Sequence, residues 1–77
     1  MRGTISMTLD LRGVSEPVSV ARTAVAMTGL RSGELIQVLT TDPASVQDLS
    51  VWARATGNRL VEQTAGDGWY RFIVRKR

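Results

Sequence analysis

Neither cysteine nor histidine occurs anywhere in the 77 residues. That double absence removes disulfides, thiolate nucleophiles, imidazole bases and the usual transition-metal ligands, so the expectation is a chain with no metal and no cofactor. Lysine is nearly missing as well: nine of the ten cations are Arg, which favours planar, forked donors over point charges. No apolar run approaches the roughly 20 residues that span a bilayer. The start Met1-Arg2-Gly3-Thr4 also lacks the apolar segment and small-residue cleavage site of a secretory signal. The reading is a cytoplasmic protein with no membrane contact.

What is present is an ordinary globular composition, 43% hydrophobic and 22% charged with a net charge of +3. A chain of this mass exposes roughly 4600 Å² when folded against roughly 12200 Å² unfolded, enough burial for one small core. Residues 1–77 are therefore read as a single domain, free of repeats, linkers and low-complexity stretches.

Residues 4–11 alternate, with Ile5, Met7, Leu9 and Leu11 on one side and Thr4, Ser6, Thr8 and Asp10 on the other, as in a half-buried strand. Pro17 suits the first turn of a helix, which the apolar row Val20, Ala24, Met27 and Leu30, widened by Ala21 and Val25, carries to about residue 30. A second strand is expected over 35–39. Asp42-Pro43 then starts a second helix with the stripe Val46, Leu49 and Ala53 and Trp52 at its margin, ending near Thr56 before Gly57. Residues 60–64 and 69–76 read as two strands joined through a loop over 65–68. The order βαβαββ predicts an α+β fold, a two-layer sandwich whose four-stranded mixed sheet carries both helices on one face and leaves the other open.

Leu9-Asp10-Leu11-Arg12-Gly13-Val14 resembles the opening "LDLRGL" of the TusA/SirA sulfur-carrier family. Gly33-Glu34 is similar to its "GE", Asp42-Pro43 with Asp48-Leu49 to its "DPxxxxDI", Gly57 to its "GH", and Tyr70-Arg71-Phe72 through Arg75-Lys76 to its "YxFxIRK". The resemblance implies a fold similar to the C-terminal domain of translation initiation factor three. It also implies a relay in which the Cys of a "CPxP" motif carries persulfide sulfur from a cysteine desulfurase to an acceptor. Here Pro17 falls on the first Pro of that motif, Ser19 on the second and Glu16 on the Cys. The family's sulfur-bearing position thus holds a carboxylate, and no catalytic residue is assigned.

Glu16 reads either as a fixed anion imitating a thiolate at a docking surface or as a charge that complements the helix dipole. A general-base role is disfavoured, because an exposed carboxylate at a helix N-terminus is not expected to have a raised pKa. Asp42 and Asp48 are set aside as a paired acid site, with Asp48 expected to be solvated or paired with Arg12 or Arg54. On the open sheet face, Arg71, Arg75 and Arg77 form a candidate basic surface beside Trp69. Leu35, Leu39, Trp69 and Ile73 form a candidate apolar interface for a protein partner or a second copy. The leading functional reading is a non-catalytic adaptor that touches sulfur-relay components. The alternatives are an RNA-binding or regulatory module using the Arg face, and a sulfur-transfer component whose partner supplies the thiol.

Overall fold

The computed structural model describes residues 3–77, with elements β1 (Ile5–Leu11), α1 (Val18–Met27), β2 (Leu35–Thr40), α2 (Ala44–Thr56), β3 (Arg59–Gly66) and β4 (Trp69–Arg75). The strands form one sheet in the order β1-β2-β4-β3, with β1 parallel to β2 and β4 antiparallel to both its neighbours. This is the expected βαβαββ architecture. Its surface of 4621 Å² matches the value expected for a compact chain of this mass.

The core lies between the sheet and the helices. Ile36 and Val38 of β2 stand opposite Val74 and Phe72 of β4, and all four are sealed against Leu11, Met27, Leu30 and Leu49. Burying side chains of this size contributes about 1.5–3 kcal/mol each.

Both helices turn a more polar row inward than expected. The buried row of α1 is Ser19, Thr23 and Met27, whereas Val25 is 72% exposed and Ala21 also faces outward. The row in α2 is Ser45, Leu49 and Ala53, with Val46 only half-buried. Small hydroxyl side chains let a helix approach the sheet closely, and each finds a partner nearby. Ser19 Oγ donates to the Val14 carbonyl at 3.1 Å and Thr23 Oγ1 to the Ser19 carbonyl at 2.8 Å. Ser45 Oγ donates to the Asp42 carbonyl and lies 2.6 Å from Thr40 Oγ1. Since the serine hydroxyl has one proton, Thr40 is the donor of that pair.

Several boundaries differ by a residue, and two differ by more. α1 ends at Met27 rather than near Leu30, although Leu30 stays in the core. The β3–β4 connection is two residues rather than four, because Gly66 pairs with Trp69 across Asp67 and Gly68. Both turn residues have positive φ, 53° and 81°, the mirror-image geometry that matches strand twist in tight hairpins.

Candidate functional site

The site is built where the N-terminal ends of the two helices meet. After β1 the chain turns at Gly13, whose φ of 87° suits glycine. The Gly13 amide donates to Thr41 Oγ1 at 2.8 Å. Glu16 follows, joined to Pro17 by a cis peptide bond. Its amide donates to Asp42 Oδ2 at 2.8 Å, while Asp42 Oδ1 accepts from the Ala44 amide at 3.0 Å. One aspartate thereby serves the start of α2 and fixes the approach to α1. This is the capping role its place before Pro43 suggests, extended to a second segment.

The Glu16 side chain folds back on α1. Its Oε1 accepts from the Val20 amide at 3.0 Å, answering one of the donors that a helix start leaves open. Its Oε2 is buried and has no hydrogen-bond partner. Burial pushes the carboxyl above its usual value, and the charges of Asp48 and Asp42 push the same way, against the Val20 amide and Ser19. The expectation of an unraised carboxylate is thus corrected. A helix start favours an anion only while water or donors reach it, and here one oxygen has neither. Asp42 moves oppositely, held down by the amides of Glu16 and Ala44.

Asp48 stands close enough to act on Glu16 by charge and forms no ion pair among the described residues. Of the alternatives for Asp48, solvation or pairing with Arg12 or Arg54, neither pairing is formed; Arg12 is paired with Asp10 at 2.8 Å and lies over the Trp69 ring, 5.9 Å from its centroid. That pairing holds the Asp10 carboxyl down at about 2. Sequence reasoning compared Asp42 with Asp48 and missed that Glu16 arrives from the segment before α1 to join them. Beside the three acids, Pro17 and Val20 of the α1 start and Gln47, Asp48, Val51 and Trp52 of α2 line a groove of about 440 Å³.

The open face of the sheet differs from the expected apolar patch. Leu35 and Ile73 are 0% and 1% exposed, and Leu39 and Trp69 are half-buried. Ile73 lies in register between Gln37 and Glu62. Above that row runs a polar ladder through all four strands: Gln37 Nε2 donates to Thr8 Oγ1 at 3.2 Å, and Arg71 donates to Gln37 Oε1 and to Glu62 Oε2.

The three cations of the candidate basic surface are likewise separated. Arg71 is paired with Glu62 at 2.6 Å, and Arg75 is half-buried. β4 ends at Arg75, so Arg77 leaves the strand alternation and lies over Gly57 at the end of α2. Lys76 Nζ donates to the Met27 carbonyl at 2.9 Å, neutralising the open end of α1.

Among the described residues no group of three or more His, Cys, Asp or Glu side chains is arranged to hold a metal ion, and no helix is long and apolar enough to cross a membrane. The profile of the family described as sulfurtransferase TusA matches residues 7–76. A putative sulfur carrier protein of Halobacterium salinarum is 44% identical over 73 residues, covering 94% of this chain and 90% of its own. The sulfur carrier protein TusA of Allochromatium vinosum is 34% identical over 68 residues, covering 88% and 90%. The putative sulfur carrier protein YrkI of Bacillus subtilis is 35% identical over 68 residues, covering 88% and 91%.

Proposed function

Since the chain belongs to the sulfurtransferase TusA family, we propose that it is a cysteine-free member that docks onto protein components of sulfur relay and carries no sulfur itself. The observation that supports this reading is the seat of Glu16. The residue aligned with the family's sulfur-bearing Cys rests on the first turn of α1 through its bond from the Val20 amide. A carboxylate there preserves an anion at the helix start without a sulfur atom. In persulfide transfer a thiolate attacks the terminal sulfur of a partner's persulfide, forming a new S–S bond and releasing the partner's thiolate. The sulfurs of this chain are three methionine thioethers, none of which can be that nucleophile.

The RNA-binding alternative draws less support, because Arg71 is engaged by Glu62 and Gln37 while Arg77 is turned toward α2. The test uses a cysteine desulfurase supplied with cysteine radiolabelled at sulfur. The wild-type chain is expected to co-elute with the desulfurase and to take up no label, whereas Glu16→Cys becomes labelled in the same complex. Co-elution of neither form would overturn the relay reading. Onward transfer of label from the partner only when wild-type chain is present would favour the reading in which a partner supplies the thiol.

A further inference from the structure

We infer that the groove between the start of α1 and the middle of α2 is a docking site for a partner segment presenting a lysine or arginine among aliphatic side chains. The inference deepens the adaptor reading and rests on it. The groove is lined by Pro17, Val20, Gln47, Asp48, Val51 and Trp52, an apolar wall interrupted by one amide and one carboxylate and containing no cation. Val51 is 57% exposed at its edge. A β-branched side chain left that far in water is only partly used by this chain's own packing, whereas a partner aliphatic laid against it and Trp52 would remove apolar surface from water.

The charge at the groove selects the partner. Glu16, Asp42 and Asp48 are three of the seven acidic residues, and none forms an ion pair among the described residues. The remaining chain holds ten cations against four acids, so this corner is negative on an otherwise basic molecule. Asp48 lines the groove, and Glu16, next to Pro17 of that lining, is coupled by charge to both Asp48 and Asp42, with no cation of the lining to answer them. A cation on the partner supplies what the chain lacks at this place, and an acidic segment is repelled. The same cation would ease the repulsion from Asp48 and Asp42, which adds to burial in raising the Glu16 carboxyl.

The test titrates the nitrogen-15-labelled chain with two synthetic peptides of equal length and equal leucine content, one carrying lysine where the other carries glutamate. With the lysine peptide, amide resonances over 18–20 and 47–52 and the Trp52 indole are expected to shift while the Trp69 indole stays in place. Affinity for the lysine peptide is expected to exceed that for the glutamate peptide at least tenfold. Asp48→Lys and, separately, Val51→Ser should each weaken it severalfold, with the remaining resonances unmoved as proof of an intact fold. Equal binding of both peptides, shifts centred on Gln37 and Arg71, or indifference to both substitutions overturns the inference. The two readings fail separately. Peptide binding without desulfurase binding sinks the relay reading alone, and desulfurase binding unaffected by Asp48→Lys and Val51→Ser sinks the groove alone.

Discussion

Glu16 sets the pH response at the scale of one residue. Its folded-state carboxyl binds a proton more readily than in the unfolded chain. Between the ordinary carboxylate value of 4.5 and the raised one, the native state therefore holds more protons than the unfolded state, and stability falls as pH rises. The lowered groups Asp10, Glu34 and Asp42 act in the opposite sense, losing their contribution as the solution is acidified. Glu16→Gln keeps an oxygen for the Val20 amide and removes the titration. The variant is expected to match wild type near pH 4 and to gain on it toward pH 7 in urea-unfolding midpoints. A constant offset across that range would show that the buried Oε2 is not the cause. Part of this was legible in the sequence: Pro17 marked the helix start and placed Glu16 beside it. The charge environment was not, because Asp48 lies 32 positions from Glu16 and reaches it only where the start of α1 meets α2.

Hydropathy was a good guide to the strands and a poorer one to the helix faces. The two-residue alternation of β1 survives in the structure, since pleating places Met7 and Leu9 inward whatever their neighbours do. In α1 the inward row passes through Ser19, whose hydroxyl bonds the Val14 carbonyl of the preceding loop, and Thr23, whose hydroxyl bonds the Ser19 carbonyl one turn back, so both enter the core at small cost. A hydropathy count treats them as polar and rotates the face toward Val25. Paired substitutions decide between the two faces. Val25→Lys is expected to change unfolding free energy by no more than about 0.5 kcal/mol. Met27→Ala, in the core, should cost about 2–5 kcal/mol. A large loss at Val25 would restore the face read from hydropathy. The stops were clearer, since Gly57 ends α2 with φ of 77° as its place in the sequence suggests.

Across the whole molecule, strand order lay furthest from view, because alternation states which side of a strand is buried and not which strand lies beside it. The order also turns the candidate basic face into the ladder from Thr8 through Gln37 and Arg71 to Glu62. Arg71→Ala is accordingly expected to act on stability, lowering it by about 1.5–3 kcal/mol for lost bonds to a charged group. Oligonucleotide affinity should be unchanged in a gel-shift titration. A variant of undiminished stability that loses RNA affinity would return Arg71 to a binding role. The sheet order has a further effect during synthesis. β4 is the last element in the chain and lies between β2 and β3, with which it makes two of the three strand pairings. Until residue 75 has been made, β2 and β3 each present a row of unpaired backbone groups, and Ile36 and Val38 have no facing strand. A nascent chain therefore holds two sticky halves that cannot become a sheet, and a stop codon anywhere before Trp69 yields a fragment prone to aggregate rather than a smaller domain.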